Sequence, residues 1–181
     1  HDRSLRLSKI NEKIGPLFNI NDNKKLNKLG LYSKLDLSSN LVVEFPELQG
    51  TMLKYLAKLN GFSKDMQFAF EDQYKPIGLN KNMPRNKLGS ILSVSNNIDT
   101  LSYFFSIGLI PTGSRDPFAL RRSGNSLINV LWNESNALSL NQLVNSLDEK
   151  LSKDDKLVNE IKIFLIDRLY NFLIEEGFRS D

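Results

Sequence analysis

Apolar positions recur three and four residues apart along most of the chain, the spacing that puts side chains on one face of an α-helix. Leu7, Ile10, Ile14 and Leu17 define an amphipathic helix over 2–18, with Gly15-Pro16 kinking it or ending it early. Asn19 to Asn23 is a turn with several candidate N-caps. Leu26, Leu29, Gly30, Ser33 and Leu37 share one face of a second helix over 24–37, and 38–45 can continue helically up to Pro46. Leu48, Met52, Tyr55 and Leu59 predict a helix over 47–59, stopped by Asn60-Gly61. Ser63 caps a short helix through Phe68, Phe70 and Tyr74, and 74–84 is a loop rich in Pro, Gly and Asn.

The most apolar helix spans 86–107 and ends at Gly108. Asp116 or Ser114 then caps a helix with Pro117 at its first position, where a missing N–H costs nothing, running to about Trp132. Helices over 138–151 and 154–176 complete the chain. In the last of these Leu157, Ile161, Phe164, Leu165, Leu169, Phe172 and Leu173 form a broad stripe, and Gly177 stops it. No segment alternates with period two between turn signals, and there are no internal repeats. The pattern predicts an all-α, multi-helix fold.

Composition narrows the function more than the fold. At 181 residues the chain suits one domain, residues 1–181, with nothing that marks a linker. A formal charge of +3 is too small to predict nucleic-acid binding by itself, although clustered Lys and Arg can still build a basic face. The helix faces carrying Lys24, Lys25 and Lys28, or Lys54 and Lys58, read as ordinary solvated surface. No apolar run approaches the ~20 residues that span a bilayer, so no membrane association is expected. Cysteine is absent, which excludes disulfides and thiolate metal sites and suits a reducing cytoplasmic location. The first residues are charged and already in helical register, which reads as a segment of a longer protein.

Catalytic chemistry finds little to work with. The only histidine is His1, so neither a Ser-His nucleophile nor a histidine metal site can be assembled from the sequence, and Asp36, Glu44, Glu47 and Asp99 are not grouped. There is no phosphate-binding glycine motif. No catalytic residue, metal or bound cofactor is therefore expected on this segment. The stretch from Asp99 to Arg122 is the best candidate for function: a helix ends, the backbone turns through Pro111 and Gly113, and a new helix opens with Arg121 and Arg122 after Arg115. Loop N–H groups and arginines favour an anion such as phosphate, while Asp116 opposes it. The competing structural reading pairs Arg121 or Arg122 with a buried carboxylate, Asp99 or Glu44. Phe104, Phe105 and Phe118 read as core, and Tyr74 as the packed anchor of its loop.

Glu44-Phe45-Pro46-Glu47-Leu48-Gln49-Gly50, Tyr74-Lys75-Pro76, Asp99-Thr100-Leu101, Phe105-Ser106-Ile107-Gly108 and the run Pro111 to Arg122 together resemble the beta subunit of bacterial glycyl-tRNA synthetase, in order and spacing from about Leu5 to Gly177. The resemblance implies an HD-like helical domain of a longer beta subunit. That subunit handles tRNA(Gly) within an assembly of two alpha and two beta subunits. The alpha subunit would use ATP and Mg to attach glycine, and this segment alone would be inactive. Arg115, Arg121 and Arg122 become candidate contacts to tRNA or to another subunit. HD phosphohydrolases hold metal with a His, a His-Asp pair and a later Asp. Here Leu35-Asp36 replaces the pair and Ser95-Asn96 stands where Ala-Asp is common, so a two-metal mechanism does not carry over. The alternatives are an HD-type phosphohydrolase, disfavoured by the missing histidines, and a purely structural module that docks subunits.

Overall fold

A computed structural model describes residues 2–77, 82–134 and 138–178. His1 and part of the expected 74–84 loop lie outside the described residues. Among those described the structure is α-helical without strands, apart from one isolated bridge between Thr112 and Arg115. The helices are α1 (Asp2–Ile14), α2 (Asn23–Tyr32), α3 (Asn40–Glu44), α4 (Thr51–Leu59), α5 (Lys64–Asp72), α6 (Lys87–Ser106), α7 (Leu120–Asn133), α8 (Leu140–Asn145), α9 (Glu149–Ser152) and α10 (Asp155–Glu175). None is long and apolar enough to cross a membrane.

Side-chain caps set most of the helix starts. Asp22, Ser63, Asn86, Ser139 and Asp154 each accept an N–H from the first turn that follows, which satisfies donors the helix itself leaves open. Several expected helices are shorter, for local reasons. The first ends at Ile14 and tightens into a 3-10 turn over Gly15–Phe18, where Pro16 cannot donate. The second ends at Tyr32, and a separate turn covers Leu35–Ser38. The helix expected from residue 47 begins at Thr51, because Gly50 takes φ +80°, a backbone state closed to most side chains. The helix expected over 138–151 is two pieces, with Asp148 capping the second through the Lys150 N–H.

The centre of the fold is α6. Ile91, Leu92, Val94, Ile98 and Leu101 are fully buried on it, and it packs against α1, α2, α5, α7 and α10. A helix apolar on all sides belongs inside a multi-helix core. Its small polar residues are buried as well and find partners: Ser93 donates to Lys75 O at 2.6 Å and Ser95 donates to Asn11 Oδ1 at 2.6 Å. At Gly30 a Cβ would lie 2.2 Å from Ser8 N, so the residue's lack of a side chain is what lets α2 lie against α1. One apolar cluster draws its buried residues from α1, α2, α4 to α8 and α10, with Leu151 of α9 packed against it.

The arginine corner and the polar cleft beside it

The 107–119 connection departs from expectation. Pro117 is not the first residue of a helix; α7 starts at Leu120 after Ala119, which adopts left-handed φ 53°. Asp116 still caps it, from a distance, since its two carboxylate oxygens accept the Leu120 and Arg121 N–H groups at 2.8 and 2.9 Å. The extra residues let Phe118 leave the helix and stack on Phe104, with centroids 4.4 Å apart. Of the three phenylalanines expected in the core only Phe105 is fully buried; Phe104 is half-buried and Phe118 exposed. Thr112 and Arg115 exchange backbone hydrogen bonds at 2.8 and 3.1 Å across a tight Gly113-Ser114 turn.

The three candidate arginines take three different environments. Arg121 Nη2 donates to Gly113 O at 2.7 Å and ties the turn to the first turn of α7. Arg115 projects from the turn, exposed, with no side-chain partner among the described residues. Arg122 is also exposed and unpaired among them, and it lines a cleft of about 450 Å³. Neither Arg121 nor Arg122 pairs with Asp99 or Glu44, so the expected structural pairing is corrected. Asp99 is already taken from the opposite side by α1: Arg6 Nε donates to its Oδ1 at 2.6 Å, and Arg3 Nε lies 3.2 Å from its Oδ2.

That cleft also collects groups the sequence left scattered. Arg3 donates to Thr100 Oγ1 at 2.6 Å, and Gln49, Gln73, Tyr74 and Asn96 line the wall. Gln73 organises the floor. Its Nε2 donates to Phe70 O at 2.8 Å and Ser33 O at 3.0 Å, which fixes Oε1 as an acceptor. Lys34 Nζ donates to that oxygen at 2.8 Å and Asn96 Nδ2 at 3.2 Å. Asn96 is thereby locked with its Oδ1 turned away, buried and without a partner among the described residues. Lys34 also donates to the Tyr74 hydroxyl at 2.8 Å and lies over the Tyr74 ring. Desolvation by burial, reinforced by Arg3, holds the Lys34 ammonium well below the ordinary lysine value, although Asp36 and Asp99 oppose it. Burial likewise pushes the Tyr74 hydroxyl up. Tyr74 thus anchors its loop from within, as expected.

Asp36, the one acid left at the position that resemblance links to metal binding, has a structural contact instead. It is fully buried, and its Oδ2 accepts the Gly50 N–H at 2.7 Å. Among the described residues no three His, Cys, Asp or Glu side chains gather as a metal group. A second charged cluster gathers around Asp72. Arg85 grips buried Asp72 through Nε and Nη2 at 2.7 and 2.8 Å, Lys75 joins at 2.9 Å, and Glu71 bridges Arg85 and Lys54.

Sequence reasoning missed Arg3, Arg6, Lys34, Gln49 and Gln73. One signal was available for α1: Arg3 and Arg6 are three apart, on one face of the helix, beside the apolar stripe of Leu7 and Ile10. For Gln73 and Lys34 no local pattern distinguishes them from surface residues.

Comparison with known proteins places these features in a class. The family described as "Glycyl-tRNA synthetase beta subunit" matches residues 1–181. The chain is 37% identical over 179 residues to the glycine–tRNA ligase beta subunit of Thermodesulfovibrio yellowstonii, covering 98% of this chain and 26% of that protein. It is 38% identical over 183 residues to the corresponding subunit of Halothermothrix orenii, covering 99% and 27%. For Methylobacillus flagellatus the identity is 39% over 152 residues, covering 81% and 21%. The chain spans about a quarter of the length of these relatives. The class is that of aminoacyl-tRNA synthetase components. Within it, the chain belongs to the glycyl-tRNA synthetase beta subunit family.

Proposed function

We propose that residues 1–181 form one helical, HD-like domain of a longer beta subunit, and that this domain contacts tRNA(Gly) while glycine activation with ATP and Mg proceeds on the alpha subunit of a two-alpha, two-beta cytoplasmic enzyme. The observation that carries the reading is the division of labour among the corner's arginines. Arg121 and Asp116 hold the turn together, whereas Arg115 and Arg122 are left exposed and unpaired among the described residues. An unpaired exposed guanidinium is well suited to a phosphate, which it can grip through two parallel N–H bonds.

The HD-like part of the reading draws support from geometry. Lys34, two residues before Asp36, and Asn96 on α6 meet through the one Gln73 amide oxygen. The two stretches that the resemblance compares with metal-binding positions, at Asp36 and at Asn96, are therefore near one another. The phosphohydrolase alternative has no corresponding observation among the described residues. A hydroxyl-radical footprint of tRNA(Gly) on the intact two-subunit enzyme tests the reading. Protection that disappears when Arg115 and Arg122 are both replaced supports it, and a footprint indifferent to both replacements overturns it.

A further inference from the structure

We infer that the cleft between α1, α6 and α7 seats a ribonucleotide by its phosphate, an assignment that deepens the tRNA reading and rests on it for the RNA arm of its test. Its volume of about 450 Å³ falls inside the ~300–1,000 Å³ range of small-molecule sites. Its charge is cationic. Two arginines line it: Arg3, which donates to Thr100 Oγ1 and lies 3.2 Å from Asp99 Oδ2, and Arg122 at the rim, which has no counter-ion among the described residues. One lining charge, that of Arg122, is left without a counter-ion among the described residues, and arginine is the residue suited to planar, bidentate capture of phosphate.

The remaining lining matches the other parts of a nucleotide. Pro76, Ile77 and the Tyr74 ring give an apolar wall against which a sugar or base can lie. Asn97 and Ser126 form a polar pair on the facing side, joined by a 3.2 Å hydrogen bond. At the back, Asn96 donates its amide nitrogen to Gln73 Oε1 at 3.2 Å, which fixes the side chain that lines the cleft there. A phosphate for Arg122, an apolar body for the Tyr74–Ile77 wall and polar groups for Asn97 and Ser126 together describe a ribonucleotide, either free or as one unit of an RNA chain.

The test uses the full-length beta subunit without its alpha partner, titrated calorimetrically with cytidine 5′-monophosphate, with cytidine and with inorganic phosphate. Saturable binding of the monophosphate is expected, with Arg122→Gln weakening it about tenfold, the loss of one charge-assisted contact, and leaving the melting temperature unchanged. Ser123→Leu, which adds bulk at the rim, gives a second variant with the same expected loss. The two sources separate in the intact enzyme. If the nucleotide belongs to tRNA, saturating tRNA(Gly) abolishes monophosphate binding; if it is free, binding persists alongside tRNA. No saturable monophosphate binding, or binding unaffected by both substitutions, overturns the inference. Monophosphate binding is read on the beta subunit without tRNA, so a failure of this cleft is distinguished from a failure of tRNA contact at the corner, where Arg115, outside the cleft lining, also takes part.

Discussion

The Asp36 carboxylate accepts the Gly50 N–H at 2.7 Å and serves as a backbone clamp between the Leu35–Ser38 turn and the start of α4. Gly50 can be clamped there only because φ +80° is open to glycine, and an added Cβ would also crowd Glu71 O at 3.1 Å.

The first prediction follows from that contact. Gly50→Ala should destabilise the protein by about 1–3 kcal/mol, the cost of forcing a side chain into such a backbone state. Asp36→Ala, which leaves the buried N–H unpaired, should cost a similar ~1–3 kcal/mol. Asp36→Asn retains an oxygen acceptor and should cost less than Asp36→Ala. Chemical denaturation checks all three, and a purified protein whose stability depends on added divalent metal would contradict the clamp role.

The second concerns acid. Burial works to raise Asp72 and Glu71, but hydrogen bonds from Arg85, Lys75 and Lys54 prevail and hold both below their ordinary values of 3.8 and 4.5. A carboxylate depressed in the folded state contributes stability present above its unfolded value and lost as pH falls through the folded one. Stability should therefore decline from about pH 4.5 downward. Asp72→Asn should flatten that decline and cost about 1.5–3 kcal/mol at neutral pH. Melting curves across the acid range measure both effects.

The third concerns base. Because burial depresses Lys34, the unfolded chain binds a proton that the folded chain does not, between the depressed value and the ordinary 10.5. Stability should rise with pH across that window. Tyr74 acts in the opposite sense, since its raised hydroxyl makes stability fall above the ordinary 10.0. Lys34→Met should remove the rise on the alkaline approach to pH 10 while leaving the later fall. Unfolding measured between neutral pH and that point distinguishes the two groups.

The long elements were readable and the polar sites were not, for physical reasons. Twenty residues of α6 and twenty-one of α10 carry enough periodic apolar positions to fix their type and nearly their ends. The break at Gly50 was missed because it depends on a single backbone angle, and Pro117 was placed in a helix because a proline after an acid also fits a helix start. Asp99 illustrates the deeper limit. Its partner Arg6 is 93 positions away, so no local pattern could show that α1 reaches it before Arg121 or Arg122. The same holds for Lys34, Gln73 and Asn96, whose meeting is a product of packing.

The most direct test of the central claim is steady-state kinetics on the intact two-subunit enzyme carrying Arg115→Ala with Arg122→Ala. If these arginines contact tRNA phosphates, KM for tRNA(Gly) should rise roughly tenfold and the salt dependence of tRNA binding should weaken by about one to two contacts. Glycine-dependent ATP–pyrophosphate exchange and the melting temperature should stay unchanged. Equal loss of exchange and charging, together with a lower melting temperature, would contradict the claim and assign both arginines to holding the fold.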